Sequence, residues 1–286
     1  MTGFDRVAMV DWSGGNDTGP RPRKDAIWMA EAGKTPVYLR NRVRAEQALS
    51  DLIADALENG QRLFLGFDFP FGYPAGFARA LTGRADPFAV WRFLAERLDD
   101  TPDRNSRFHL GAELNRRFPG IGPFWFNALR EDIPDLPRKD IRAGHGMAER
   151  RACEQAAKGA FSCWQLGGAG AVGGQVLTGL PVLHRLRHRF PEQIAVWPFE
   201  PLTRPVAVVE VWPSLINDVV RQVQDAGVIR DAAQVALLAA AIAALPPAVL
   251  ATMLDVQSPE EGWIFGLGHE DTLRATAAEL DKSALL

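Results

Sequence analysis

The stretch RVAMVDWSGG, residues 6–15, decides the fold. It is a short apolar run that ends at Asp11 and then enters a turn of small residues, a pattern typical of a buried strand. A carboxylate at the end of such a strand loses hydration, so it has to be paired, protonated or bound to a cation. We therefore predict a buried first strand whose last acid is a candidate for chemistry.

Two later stretches repeat this pattern of an apolar run that carries one acid. RLFLGFDF, residues 62–69, contains Asp68 and predicts a central strand covered on both faces. VAVVEVW, residues 206–212, contains Glu210 and predicts another strand. For any one of these acids, a loop cap or a bond to backbone amides is an equally good explanation. Three acids at the ends of strands in one sheet favour a shared site.

The remaining periodicities predict a mixed α/β sheet. Strands are predicted at 26–32 and 37–43, and because short turns separate the first three strands, we predict that they form an antiparallel meander. A helix is predicted at 45–60. Later strands are joined through helices, so we expect them to be parallel. The further predicted elements are helices at 176–190, 231–245 and 269–281 and a strand at 194–199.

Residues 75–174 interrupt this alternation of strands and helices. We predict that they form a mostly helical insertion, with helices near 87–98 and 147–160, in a core made of residues 1–74 and 175–286. The segment carries 15 Lys and Arg against 12 Asp and Glu, whereas the whole chain has a formal net charge of −3. A strongly basic, nucleic-acid-coating chain is therefore excluded, although the middle of the chain is mildly basic.

The composition is that of an ordinary globular protein, with 286 residues, 47% of them hydrophobic and 23% charged. Cys153 and Cys163 are the two cysteines, and without a CxxC pair they fit free thiols better than a disulfide scaffold or a zinc site. Asp5 and Asp11 flank the first apolar run, unlike a signal peptide. The most apolar stretch, 235–245, is shorter than the roughly 20 residues of a membrane span. We expect a cytoplasmic protein with no membrane partner.

Two acids on predicted helices could complete the site. Asp231 opens a long apolar helix, where an N-cap is an equally good explanation, and Glu46 lies near the start of another, where the helix dipole favours an acid. Carboxylate clusters without histidine or cysteine partners suit hard cations such as Mg²⁺ or Mn²⁺. Two such ions roughly 4 Å apart can activate a water and stabilise the leaving oxygen in phosphodiester cleavage.

Three motifs carry a resemblance to a known family: VDWSGG at 10–15, LGFDFPFGYP at 65–74 and VEVWPS at 209–214. With residues 163–199 and EGWIFGL at 261–267, they resemble the family called domain of unknown function 429, whose members are predicted to be ribonuclease H-like nucleases. The resemblance implies a mixed sheet of five or slightly more strands, with helices on both faces and a mostly helical insertion.

The resemblance also implies roles for the acids. Asp11 matches the acid of the first strand, Asp68 the acid that ends the fourth strand, and Asp231 the acid of the last helix. Glu46 matches a first-helix acid that some members have, and Glu210 matches the late-strand acid of the family's own motif. Asp11, Asp68, Glu210 and Asp231 are thus implied to be the metal-binding and catalytic residues of a metal-dependent phosphodiester hydrolase, a nuclease.

Two loops are candidates for binding the substrate. Ser13 and Gly14 would form a turn beside the metal site, and in the related actin-like ATPases the corresponding turn contacts phosphates. Gly168, Gly170 and Gly173 satisfy GxGxxG, but the run lacks the preceding strand and the later acid of a dinucleotide fingerprint. We interpret residues 167–174 as a loop that lines the site and contacts substrate phosphate.

Two further groups of residues have competing explanations. His184 and His188 are four apart on a predicted helix, but the arginines around them indicate an exposed basic face rather than a metal site. Arginines alternate with aromatic residues over 104–130, which suits either a grip on single-stranded nucleic acid or a small core with solvated arginines.

The partner is expected to be nucleic acid or a nucleotide-containing small molecule. A second hypothesis is a nucleotide- or cofactor-binding protein that uses the same cleft, for example an accessory protein of molybdopterin-guanine dinucleotide biosynthesis. A third hypothesis is a non-catalytic module with the same fold. DNA, RNA and small nucleotides all remain open as substrates, and so does the oligomeric state.

Overall fold

The computed structural model describes residues 3–224 and 228–282, and it is built around one six-stranded mixed sheet. The strands are β1 (Arg6–Asp11), β2 (Trp28–Glu31), β3 (Val37–Tyr38), β4 (Leu63–Phe67), β5 (Ile194–Val196) and β6 (Val206–Glu210). The helices are α1 (Arg42–Glu58), α2 (Phe77–Thr82), α3 (Pro87–Ala95), α4 (Arg107–Asn115), α5 (Ala152–Ala156), α6 (Val172–Arg189), α7 (Asn217–Gln224), α8 (Arg230–Ala244), α9 (Pro247–Leu254) and α10 (Glu270–Ala278). A 3₁₀ turn at Pro213–Ile216 precedes α7.

The strand order across the sheet is β3-β2-β1-β4-β6-β5. β1 pairs antiparallel with β2 and parallel with β4, while β6 lies parallel between β4 and β5. This confirms the mixed α/β sheet, with its antiparallel first part and its parallel second part. The register places Val10 beside Phe67, and Phe67 beside Glu210, which determines where the strand-end acids point.

Alternating residues of the strands enter two hydrophobic cores, one on each face of the sheet. Ala8, Val10 and Leu65 point into the core that contains α1, α3 and α6. Met9 and Phe64 point to the opposite face, where α8 packs across β1 and β2. The near-continuous apolar runs of β1, β4 and β6 are explained by this burial on both sides.

Several predicted elements differ from the structure in their bounds; the strand predicted over 194–199, for example, ends at Val196. Two further differences have a local cause. The strand predicted over 37–43 ends at Tyr38, because Asn41 caps α1: its side chain accepts a hydrogen bond from the Arg44 amide at 3.0 Å. The helix predicted near 147–160 is limited to Ala152–Ala156. In both places a local hydrogen bond outweighs the hydrophobic pattern on which the prediction was based.

The segment 75–174 is described throughout and contains short helices joined by long connections. Its aromatic side chains are not a separate cluster, because Phe124 and Trp164 belong to the same core as the sheet residues Leu65 and Phe67. Trp164 stacks on Tyr73, with ring centroids 5.2 Å apart. The segment and the sheet thus share one core.

Candidate functional site

Asp11 and Asp68 lie side by side at the carboxyl ends of β1 and β4. Because Val10 pairs with Phe67 in a parallel register, the next residues, Asp11 and Asp68, lie at the same level and on the same face of the sheet. The Asp68 amide donates to the Val10 carbonyl at 3.2 Å, which extends the pairing beyond the strand. The two carboxyl groups lie close enough to influence each other's pKa, and a hydrogen bond between them would require a proton on one of the two.

The backbone holds the Asp68 side chain in place. Its Oδ1 accepts a hydrogen bond from the Trp12 amide at 2.6 Å. Trp12 is itself buried, and its indole Nε1 donates to the Thr178 hydroxyl on α6 at 3.2 Å. The turn after β1 therefore orients the acid that follows β4.

Asp231 approaches the same pair from α8, the helix that packs on their face of the sheet. It is the second residue of α8, and its Oδ2 accepts from the Asp25 amide at 2.6 Å. The N-cap position is Ile229, so the expected alternative of Asp231 as an N-cap is wrong. Asp231 instead ties the loop before β2 to the helix, close enough to repel the charges on Asp11 and Asp68.

The pKa values of all three acids are raised. Burial is the largest cause at Asp11, followed by the charges of Asp68 and Asp231, and the pKa of Asp11 lies well above its usual range. Burial also raises the pKa of Asp68 to about 7, although the bond from the Trp12 amide opposes the shift. Burial again leads at Asp231, whose pKa is raised too. Burial and mutual repulsion disfavour a fully ionised cluster, and a cation would compensate for both.

Glu210 is not brought into this cluster. It pairs with Phe67 rather than Asp68, so its side chain leaves the sheet on the opposite face. Both its oxygens bind Arg151, at 2.6 and 2.9 Å, and Oε2 also accepts from the Phe71 amide. Arg151 binds Glu154 as well, and all three charged side chains are at most 2% exposed. Glu210 is thus engaged as a counter-ion of Arg151.

Glu46 also lies apart from the cluster. Its carboxylate forms an ion pair with Arg185, at 2.7 Å, between α1 and α6. The first-helix acid is therefore occupied in a partly exposed surface contact.

The Ser13–Gly14 turn packs against the start of α6. A Cβ on Gly14 would lie 2.7 Å from the backbone of Gly174, so only glycine permits this approach. Gln175 donates to the Trp12 carbonyl at 2.6 Å, and the Ser13 hydroxyl donates to the Asp25 carbonyl at 2.9 Å. The predicted turn beside the carboxylates is present, held by α6 on one side and the Asp25 loop on the other.

Gly168 and Gly170 shape the loop that leads into α6. Both have positive φ angles, +75° and +78°, which favour glycine. Each backbone also lies against an aromatic ring: a Cβ would be 2.7 Å from Phe126 at Gly168 and 2.4 Å from Phe161 at Gly170. Both glycines are therefore explained by backbone conformation and close packing, and their contact with substrate stays a prediction.

The buried Arg42 could not be predicted from the sequence. It forms an ion pair with Asp100 and donates to the carbonyls of Ser13 and Gly15, at 3.0 and 2.6 Å. This arginine holds the turn beside the carboxylates against the 75–174 segment. Arg151 could not be predicted either, because nothing in the sequence distinguishes a buried arginine from an exposed one.

Histidines and cysteines take no part in the site. The rings of His184 and His188 lie on α6 with centroids 4.6 Å apart and planes tilted by 46°. Burial lowers the pKa of His184, and the charges of His188 and nearby arginines lower it further. Cys153 and Cys163 are buried free thiols, as predicted.

Among residues 3–224 and 228–282, no three His, Cys, Asp or Glu side chains are arranged to hold one metal ion. Mg²⁺, however, keeps several waters and is commonly bound through one or two carboxylates. The adjacent oxygens of Asp11 and Asp68 therefore fit such an ion by number and by chemistry, and no Lys or Arg of the described chain forms an ion pair with either acid.

The comparisons with known proteins add nothing to this geometry: no family model, curated protein or solved structure matches the chain. Within the described residues no single helix has the length and apolarity to cross a bilayer; α8 and α9 reach both only as a pair, bent by 112°.

Proposed function

We propose that this chain is a metal-dependent hydrolase of phosphodiester bonds, a nuclease with a ribonuclease H-like fold. The observation that carries the proposal is the direct contact between Asp11 and Asp68 at the ends of adjacent parallel strands. Asp231 adds a third negative charge on the same face. Acids whose pKa values are raised by burial and by neighbouring charges are a recurrent feature of functional sites.

The fold supports the proposal. Three antiparallel strands, a helix, a parallel strand, an insertion, a long helix and two further parallel strands follow in the order that the family resemblance implies, although a loop without a helix, not the expected helix, joins β5 to β6. The two acids with the most specific motif matches, Asp11 and Asp68, are the two that meet. The sixth strand fits the expectation of five or slightly more strands.

Mg²⁺ or Mn²⁺ held by Asp11 and Asp68 would supply an activated water and stabilisation of the leaving oxygen. The chain's own residues prepare for this. The Trp12 amide fixes one oxygen of Asp68, and the Asp25 amide fixes one oxygen of Asp231, so the backbone holds both carboxyl groups in position. Because the pKa values of Asp11 and Asp68 are raised, both acids have to lose their protons before they can bind a cation.

The cavity that Asp68 lines has a volume of about 50 Å³, and Glu210, Arg151 and Phe161 border it too. That is enough for one or two waters but far below the roughly 300 Å³ of pockets that enclose a small ligand. A larger cavity, about 370 Å³, lies between Arg116 and Asp135 and includes none of the predicted site residues. The site therefore favours a polymer lying across an open face over an enclosed mononucleotide.

Cleavage of a panel of nucleic acids tests the proposal. The purified chain is incubated with single- and double-stranded DNA, RNA and an RNA–DNA hybrid, in Mg²⁺, in Mn²⁺ or in EDTA. We expect metal-dependent cleavage, and a loss of at least about a hundredfold in the Asp11→Asn, Asp68→Asn double variant, because the metal ligands supply several kcal/mol of transition-state stabilisation.

Glu46→Gln is the matched control, since it makes the same kind of change at a carboxylate that lies outside the cluster. It should cleave like the wild type. Absence of cleavage by the wild type on every substrate, or equal cleavage by the double variant, would contradict the proposal. Tight binding of a mononucleotide without cleavage would favour the nucleotide-binding alternative.

A further inference from the structure

Arg107, the first residue of α4, lies against Gly174 at the start of α6, and among residues 3–224 and 228–282 it forms no ion pair with a carboxylate. Its Nη1 donates to the Asn105 side chain at 2.9 Å, and its guanidinium lies over the Phe108 ring, 4.3 Å from the centroid. On the other side, Nε is 3.3 Å from where a Cβ on Gly174 would lie. Within the described residues, Nε is buried and has no hydrogen-bond partner.

The charges around Arg107 do not neutralise it. Arg42 is close enough to lower the pKa of Arg107, and Asp100, the acid nearby, is already bound to Arg42. Desolvation is the larger cause of a pKa of about 10 for Arg107, which still leaves the group protonated at neutral pH. The region thus holds two guanidinium charges against one carboxylate.

An uncompensated and partly buried cation destabilises the folded chain unless something else is gained. A structural arginine would be expected to have a carboxylate or several carbonyl partners, as Arg42 has. Arg107 instead has one amide oxygen and an aromatic ring, contacts that orient the guanidinium and leave donors over. These are the properties of a preorganised anion-binding group.

The position of Arg107 relates it to the carboxylates. It lies against Gly174, which packs on Gly14, and the neighbouring Gln175 binds the Trp12 carbonyl next to Asp11. Asn105, which orients Arg107, also donates to the Gly14 carbonyl at 3.0 Å. Arg107 is therefore linked to the turn that follows Asp11 through contacts of Gly174 and Asn105 with Gly14.

We propose that Arg107 binds a phosphate group of the substrate, one that neighbours the phosphodiester held at Asp11 and Asp68. This deepens the proposed function and rests on it for the identity of the substrate. Guanidinium donors bind phosphate oxygens in pairs, and the Asn105 side chain and the Phe108 ring hold the group in position. A polymer with regularly spaced phosphates satisfies the acids and the arginine together.

Metal-free binding separates this site from catalysis. The affinity of the chain for inorganic phosphate and pyrophosphate is measured in EDTA by calorimetry, up to about 10 mM, near the weak limit of useful affinities. We expect the wild type to bind, and Arg107→Gln to bind at least about tenfold more weakly because a charge-assisted contact is lost. Arg107→Lys, which keeps the charge but not the paired donors, should fall between them and serves if the glutamine variant does not fold.

Arg84→Gln is the matched control, because Arg84 is an exposed arginine of the same segment and lies outside the run of arginines and aromatic residues at 104–130. It should keep wild-type affinity to within about twofold, a difference of only a few tenths of a kcal/mol. No binding of either anion by the wild type, or equal binding by the Arg107 variants, would overturn the inference. If the Asp11→Asn, Asp68→Asn variant binds pyrophosphate normally and no form of the chain cleaves nucleic acid, the nuclease proposal fails while the phosphate site stands.

Discussion

At the scale of single residues, Asp11 and Asp68 lower the stability of the folded chain when they are ionised. Each is a buried acid whose pKa is raised, so the folded chain holds protons that the unfolded chain would release. Arg151 with Glu154 and Glu210 shows the opposite arrangement, in which buried charges are matched within hydrogen-bond distance. The contrast separates the acids that serve the fold from the acids that are available for a ligand.

This difference predicts how stability depends on pH. Because the pKa of Asp68 is about 7 in the folded chain against 3.8 ordinarily, the folded state binds more protons between these values, and the free energy of unfolding falls as pH rises through that window. Asp68→Asn should remove part of this dependence and raise the free energy of unfolding at pH 8, on the order of 1 kcal/mol after allowance for partial exposure. Urea unfolding in EDTA at pH 5 and pH 8 measures it.

The exposed Asp103→Asn variant is the control and should leave the pH dependence unchanged. A lower stability of Asp68→Asn at pH 8 would mean that the ionised carboxylate is already compensated in the metal-free chain, and it would contradict the raised pKa.

At the scale of elements, the start of α6 organises the site. Its first turn is glycine-rich, and Gly173 and Gly174 allow the backbones of the 163–166 segment and of Gly14 to approach closely. The next residue, Gln175, donates to the Trp12 carbonyl. Thr178, about one turn further along the helix, accepts a hydrogen bond from the Trp12 indole nitrogen. Close packing therefore explains the glycines of this run without a dinucleotide-binding motif.

Adjacent glycines of the turn allow a sharp test of this packing. Gly14→Ala places a Cβ 2.7 Å from the Gly174 backbone, which cannot yield as a flexible side chain would, whereas at Gly15 the nearest atom is the Ser13 hydroxyl at 3.4 Å. We expect Gly14→Ala to lower the free energy of unfolding by about 1–3 kcal/mol, as overpacked sites do, and Gly15→Ala to change it little. Denaturant unfolding followed by circular dichroism compares them, and equal effects would refute the close approach.

At the scale of the whole molecule, the 75–174 segment is built into the core of the sheet. Trp164 is fully buried and contacts Tyr73, Phe77 and Phe124. The predicted division into a core and an insertion describes the order of elements along the chain. Because the two parts share one hydrophobic core, we expect them to unfold together.

Trp164→Ala tests that cooperativity. Removing a buried tryptophan should lower the stability of the whole molecule by about 3–5 kcal/mol. Helix content and the fluorescence of the remaining tryptophans should be lost in one transition, shifted to lower denaturant concentration. Phe161→Ala, at a ring that is 51% exposed, is the control and should shift the midpoint far less. Two separate transitions in the Trp164 variant would show that the segment folds independently.

Much of the fold could be predicted from local pattern. Apolar periodicity predicts the strands β1, β4 and β6 and the helices α1, α6, α8 and α10. It does so because the spacing of apolar residues reflects which side of each element is buried. The ends of β3 and α5 could not be predicted, because a cap or a turn of a few hydrogen bonds decides them. The pairing of Asp11 with Asp68 was expected from adjacent strands, whereas the placement of Glu210 required the register.

The amino-acid sequence by itself determined a mixed α/β sheet and the identity of the acids at its strand ends, because hydrophobic pattern and residue type are local properties. Only the tertiary structure decided which acids meet. A shift of one residue in the pairing of β6 with β4 would turn the side chain of Glu210 to the other face, and the hydrogen bonds that set this register link residues far apart in the chain. The unpaired charge of Arg107 likewise became visible only when its surroundings were known.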